Sequence, residues 1–206
     1  MKKEFTYLAL GDSYTIGEMV AVDESFPAQL VKSLNADLLP FAPPIIRAKT
    51  GWTTDELDAG INASKELKPK YDLVTLLIGV NNQYRGLDTA EYRKQFTKLL
   101  QRALKFAGNN PNHVFVISIP DWGVTPFALA NGRDPHKVGR EIDIFNSINK
   151  YITEQFGISY TDITPHSRNA KTDPSLIAAD GLHPSGLMYA EWVSQLKPKV
   201  LKAFKN

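Results

Sequence analysis

Apolar residues gather in five short runs, at 5–10, 45–48, 73–78, 114–119 and 158–161. The middle three are continuous rather than alternating, the pattern of parallel strands covered on both faces. Between the runs, apolar positions recur at helical spacing. Phe26, Leu30 and Leu34 repeat every fourth residue. From 91 to 107, Tyr92, Phe96, Leu99, Leu100, Ala103, Leu104 and Ala107 make one stripe, stopped by Gly108 and Pro111. A further helix is predicted over 137–156, with Ile144, Ile148 and Ile152 aligned and Gly157 past its end. The last is predicted over 185–204, on Leu187, Ala190, Val193, Leu196, Val200 and Phe204, with Pro198 placed to break or bend it.

Strand and helix alternate throughout, which predicts a three-layer α/β domain around a five-stranded, mainly parallel sheet. Right-handed crossovers favour the flavodoxin-like strand order 2-1-3-4-5. In such a sheet, functional residues belong just beyond the strand C-termini, near the switch between the first and third strands. No linker, repeat or low-complexity segment divides the 206 residues, so residues 1–206 read as a single domain.

Composition narrows the class. Apolar residues at 43% and charged residues at 22% suit a globular protein with a sizeable core. A net charge of +2 spread along the chain forms no basic stripe and argues against a nucleic-acid partner. No run approaches the roughly 20 apolar residues of a membrane span. Lys2 and Lys3 precede the first apolar run, but that run is shorter than the ~7–15 residues of a signal-peptide core. It enters Gly11 and Asp12 directly, so it reads as a strand and the protein as cytoplasmic. The absence of cysteine excludes disulfides, thiolate catalysis and Cys-ligated zinc.

The predicted strand ends carry the chemistry. Gly11-Asp12-Ser13 follows the first, "KTGW" with Gly51 the second, and "GVNN" with Gly79, Asn81 and Asn82 the third. "DGLHP", with Asp180, His183 and Pro184, lies beyond the fifth. Ser13 reads equally as a helix cap or as a nucleophile, and the second role needs a base. Of the four histidines, His113 opens a strand at the opposite edge and His136 lies in a charged loop. His166 follows the fifth strand and competes. His183 is preferred, because Asp180 three residues earlier can orient its ring and stabilise imidazolium. Alone, D-x-x-H also reads as a helix entry, which would mount such a base rigidly. Gly51 and Asn81 each suit a plain turn. Their shared position at the edge of Ser13 favours a second reading, as oxyanion donors beside the Ser13 N–H.

With Ser13, Gly51, Asn81 and His183 in four separate blocks, the chain resembles the SGNH hydrolase superfamily, the GDSL-type esterases and lipases. The resemblance covers nearly the whole chain. It implies a flavodoxin-like fold and hydrolysis of carboxylic esters by a Ser-His-Asp triad. Ser13 would be nucleophile and oxyanion donor, Gly51 and Asn81 further donors, His183 the base and Asp180 its support. Asn82 departs from the family's common G-x-N-D, which leaves open the contact that the missing carboxylate would make. The G-x-S-x-G of α/β-hydrolases is absent. No metal or organic cofactor is expected, since no HExxH, GxGxxG or Walker loop occurs.

The expected partner is a small-molecule ester, with short-chain acyl or acetyl esters first. A lysophospholipase, thioesterase or acyltransferase of the same family is the alternative. A non-enzymatic ligand-binding domain on a flavodoxin-like scaffold is the rival from another class. In the segment after the fourth strand, Trp122 and Phe127 would suit an acyl chain, and Asp121 and Arg133 polar groups. Ordinary loop anchoring is the preferred reading for all four.

Overall fold

In the computed structural model, which describes residues 4–205, Lys2 and Lys3 lie outside the described residues. Five strands form one parallel sheet: β1 (Tyr7–Gly11), β2 (Ile45–Ala48), β3 (Leu73–Leu77), β4 (Val114–Ile117) and β5 (Ser159–Thr161). Their order is β2-β1-β3-β4-β5, the flavodoxin-like order. The helices are α1 (Ser13–Ile16), α2 (Phe26–Ala36), α3 (Thr54–Ala63), α4 (Val80–Tyr84) and α5 (Thr89–Phe106). They continue with α6 (Pro126–Ala130), α7 (Pro135–Gln155), α8 (Thr164–Ser167) and α9 (Gly186–Lys205). Neighbouring pairs α3–α5 and α5–α7 make one helical layer, and α2 against α9 makes the other.

Strand register does the positioning. Gly11, the last residue of β1, pairs with Ala48 of β2 on one side and with Leu77 of β3 on the other. These three strands therefore end level, and Ser13, Gly51 and Asn81 all follow within a few residues. That is the switch between β1 and β3, where an open α/β sheet offers a crevice.

Burial explains why these strands sit where they do. Every residue of β1, β3 and β4 is buried, as helices on both faces demand. The expectation of two covered faces fails for β2, whose residues are exposed or half-buried. It pairs only with β1, and an edge strand has less sheet to hide behind.

The helical stripes are also re-aimed. Ile144 and Leu187 are exposed, although both belong to predicted apolar faces. At about 100° per residue, Ile144 falls outside the face shared by Val138, Ile142 and Phe145, and Leu187 stands on the side of α9 opposite the buried Leu196. The buried face of α7 instead runs through Val138, Ile142, Phe145, Ile148 and Ile152. In α9, Met188, Tyr189 and Trp192 take the place of Leu187 and Ala190. The helix continues through Pro198, which is exposed. Among the described residues, no helix is long and apolar enough to cross a membrane.

Candidate active site

The mount for Ser13 begins with a missing side chain. A Cβ on Gly11 would lie 2.1 Å from Thr15 Oγ1 and 2.4 Å from the Leu77 carbonyl oxygen, so only glycine lets α1 turn back this closely on the sheet. Asp12 then caps α1, its Oδ1 accepting the Tyr14 N–H at 3.1 Å. The cap reading for Ser13 is thus corrected: Asp12 caps, and Ser13 is the first residue of the helix with its hydroxyl free for other work. Burial pushes the Asp12 carboxyl from 3.8 to about 7, against the lowering effect of the Tyr14 N–H. Its Oδ2 has no partner among the described residues.

The histidine comes from the segment between β5 and α9. Asp180 Oδ1 accepts the N–H groups of Leu182 and His183, both at 3.0 Å, an Asx turn written in four residues. The other oxygen, Oδ2, lies 2.6 Å from His183 Nδ1. His183 Nε2 in turn lies 3.0 Å from Ser13 Oγ. Burial acts to raise the Asp180 carboxyl, but the hydrogen bonds from the His183 ring and the two backbone N–H groups hold it below the ordinary carboxylate range. With Nδ1–H given to the carboxylate, Nε2 carries the lone pair that faces the serine. Core packing backs the ring: the Tyr14 ring lies 5.3 Å from the His183 ring and 6.4 Å from Trp192.

Gly51 and Asn81 approach from the other side. The Trp52 N–H donates to the Lys49 carbonyl at 3.2 Å, closing a turn over 49–52. Gly51 is its third residue with φ +81°, a type II value that costs glycine nothing. Asn81 Nδ2 donates one hydrogen to the Trp52 carbonyl at 3.0 Å, and its second hydrogen has no acceptor among the described residues. Among the described residues, the backbone N–H groups of Ser13 and Gly51 donate to no protein acceptor. Ser13, Gly51, Asn81 and His183 line one cavity of about 210 Å³. The residues named from the strand ends are therefore brought together.

The chain matches the model of the GDSL-like lipase/acylhydrolase family over residues 9–191. It belongs to that family. This hydrolase also shares its fold with solved structures at low sequence identity. A lipase/acylhydrolase from Enterococcus faecalis is 18% identical with a TM-score of 0.74, over 95% of each chain. The acetylxylan esterase Axe2 from Geobacillus stearothermophilus is 19% identical with a TM-score of 0.69, over 98% of this chain and 96% of that one. The esterase EstA from Pseudoalteromonas sp., solved as inhibited by monoethylphosphonate, is 17% identical with a TM-score of 0.69, over 98% of this chain and 100% of that one. No curated protein matches the chain.

The other residues weighed in the sequence divide. Trp122 and Phe127 line the hydrolase's cavity, against their preferred reading as loop anchors alone. Trp122 is an anchor as well, its Nε1 donating to Gln83 Oε1 at 2.7 Å. Asp121 is purely structural: buried, capping at Gly123 and paired with Arg168 at 2.9 Å. Arg133 lies over the Tyr84 and Trp122 rings, at 5.3 and 5.9 Å. His113 stacks on Phe204 with centroids 4.7 Å apart, His136 is exposed, and His166 faces Glu191 at 3.7 Å. None of the three lines the cavity.

Tyr14, Val80, Tyr84 and Leu182 line it too, and nothing in the sequence reading singled them out. Their signal was position alone, next to Ser13, Asn81 and His183. Asn82 accepts the Thr54 N–H at 3.1 Å on Oδ1 and donates from Nδ2 to Thr54 Oγ1 at 2.8 Å, so it ties the start of α4 to the start of α3.

Proposed function

We propose that this hydrolase cleaves small carboxylic esters, with Ser13 as nucleophile, His183 as general base and acid, and Asp180 as the group that orients the imidazole and stabilises it once it is charged. His183 Nε2 takes the hydroxyl proton as Ser13 Oγ bonds to the ester carbonyl carbon. The oxyanion receives hydrogen bonds from the Ser13 N–H, the Gly51 N–H and the second Asn81 Nδ2 hydrogen. His183 then protonates the departing alkoxide as the C–O bond breaks, leaving an acyl group on Ser13. Water repeats the sequence and releases the carboxylic acid. The observation that carries this reading is the 3.0 Å approach of His183 Nε2 to Ser13 Oγ, with Asp180 at 2.6 Å behind it.

The cavity supports a short acyl group. At about 210 Å³ it falls below the ~300–1,000 Å³ of sites for drug-sized ligands. Its far walls are Val80, Tyr84, Trp122, Phe127 and Leu182, none of them charged. Acetyl and other short acyl esters fit such a pocket. The acetylxylan esterase with the same fold acts in that range by its description.

A fluorophosphonate probe tests the assignment, since the Pseudoalteromonas esterase of the same fold is inhibited by a phosphonate. The expected result is a single adduct on Ser13 by peptide mapping and none in Ser13→Ala. Labelling elsewhere, or full esterase activity in a folded Ser13→Ala, overturns it. A panel of p-nitrophenyl esters should show kcat/KM falling beyond short acyl chains. An enzyme that prefers long chains would contradict the pocket reading.

A further inference from the structure

The carbonyls of Gly51 and Trp52, neighbours in the turn over 49–52, are both taken by side chains of one short segment. Asn81, in the first turn of α4, donates to the Trp52 oxygen at 3.0 Å. Arg85, the residue that ends α4, donates from Nη2 to the Gly51 oxygen at 2.5 Å. The two lie at i and i+4, hence on one helical face. Arg85 is itself held, because both of its terminal nitrogens lie 3.2 Å from the Glu56 carboxylate. Glu56 is fixed in turn at the start of α3, accepting the Thr53 N–H at 2.9 Å. A guanidinium is suited to this task, as its planar fork can serve a carboxylate and a carbonyl together.

We propose that Arg85 is a positioning residue for the oxyanion hole, clamping the Gly51 turn to the helix that carries Asn81 so that both donors keep one spacing. This rests on the reading of Ser13 as nucleophile and of Gly51 and Asn81 as oxyanion donors. The physical need is plain. Glycine at φ +81° has no side chain to wedge the turn in place, and a Cβ there would meet only Arg85 Nη2, at 3.8 Å. Thr50 Oγ1 donates to Glu18 Oε2 and Asn81 holds the Trp52 carbonyl, but neither reaches Gly51 itself. The Arg85 contact takes the Gly51 carbonyl, between those two ties, and so restrains the peptide that follows the donor N–H. The oxyanion exists only after attack, so a loosened donor weakens the transition state more than the bound ester.

Arg85→Ala and Arg85→Lys, assayed with a short p-nitrophenyl ester, test the clamp. Displacing a donor by a fraction of an ångström predicts a kcat lower by about 10-fold in Arg85→Ala, with KM within about threefold and the unfolding midpoint close to that of the parent. Arg85→Lys retains one charge and one donor but loses the fork, and should fall between. Phosphonylation of Ser13 passes through the same oxyanion and should slow in parallel with kcat. Undiminished kcat, a change confined to KM, or a loss that merely follows falling stability through both variants would overturn the proposal. Should Arg85→Ala not fold, Arg85→Lys carries the same test. The two levels of inference separate cleanly: an unlabelled Ser13 in the parent protein defeats the nucleophile assignment, whereas a labelled parent with an unimpaired Arg85→Ala defeats the clamp alone.

Discussion

Under the proposed assignment two arms meet at Ser13, and they are built on opposite plans. The base arm is local. Asp180 shapes its own turn through the N–H groups of Leu182 and His183 and holds the His183 ring, all within four residues. The donor arm is assembled at a distance. Gly51 and Asn81 stand on different loops and are joined by Asn81 to Trp52, Asn82 to Thr54 and Arg85 to Gly51. The local arm carries its hydrogen-bonded geometry within its own four residues, with the Tyr14 ring packed behind the histidine. The assembled arm is open to damage from side chains that never touch a substrate. Polar groups at long range must be held by the fold, whereas an Asx turn holds itself.

The largest break falls on the base arm. Removing His183 leaves Ser13 without a proton acceptor, and His183→Ala should lower kcat by about 10⁴-fold or more. Circular dichroism should show the fold retained, because the Asx turn uses the His183 backbone rather than its ring. A variant with more than a tenth of parental kcat would refute the base assignment. The donor arm should break less deeply at any single point. Asn81→Ala deletes one donor and the tie to Trp52 together, and about 10²–10³ in kcat is expected for the loss of such a donor. A drop as deep as that of His183→Ala would contradict the division of labour between the arms.

The same division explains what could be read from sequence. Chemistry restricts residue type at Ser13, Gly51, Asn81, Asp180 and His183, and D-x-x-H carries its geometry in its spacing. Arg85 carries no such mark, since an exposed arginine at a helix end looks like any solvated charge. Asp12 and Ser13 are both good caps, and only the coordinates show that the aspartate takes the Tyr14 N–H. The run at 45–48 reads as buried because Ile45 and Ile46 are apolar, but sheet order leaves it at an edge. Ile144 shares its four-residue spacing with Ile148 and Ile152, but at about 100° per residue it falls outside the face shared by Val138, Ile142 and Phe145.

Asp12 caps the helix that carries Ser13, and its buried carboxyl ties stability to pH. Its folded carboxyl is raised by burial from 3.8 to about 7. Across that interval the folded state keeps a proton that the unfolded chain releases, so this group makes stability fall as pH rises through the interval. The size is on the order of 4 kcal/mol for a shift of this extent. Asp12→Asn keeps an oxygen for the Tyr14 N–H but cannot ionise. Urea unfolding at pH 4 and at pH 8 should therefore show the variant gaining on the parent at the higher pH. A gap between the two proteins that stays constant with pH would show that Asp12 is not held protonated by the fold.

The smallest expected effect concerns the departure from G-x-N-D at Asn82. The Thr54 hydroxyl accepts from Asn82 Nδ2 and lies 2.5 Å from Gln95 Oε1, to which it donates. In Asn82→Asp, one carboxylate oxygen replaces Oδ1 as acceptor for the Thr54 N–H. The other can only accept, so the hydroxyl must turn and donate to it. That leaves Gln95 facing a hydroxyl lone pair, and an amide flip presents its Nε2 as the donor required. The buried part of the row is again paired, with its hydrogen bonds reversed. The flip gives up the bond from Gln95 Nε2 to Glu91 Oε1 at 3.1 Å, but Glu91 is exposed and keeps Lys94 and water as partners. Both residue types therefore serve the donor arm, and kcat/KM for Asn82→Asp should stay within about threefold of the parent. Gln95→Glu removes the amide that the flip needs. Combined with Asn82→Asp, it sets two carboxylates around one hydroxyl that has a single hydrogen to give. The double variant should be less stable than the sum of the single changes by about 1–3 kcal/mol, the cost of a buried polar group left unmatched. Additive unfolding energies in that cycle would mean that the Asn82–Thr54–Gln95 row does not act as one unit, and that the donor arm rests on Asn81 and Arg85 without it.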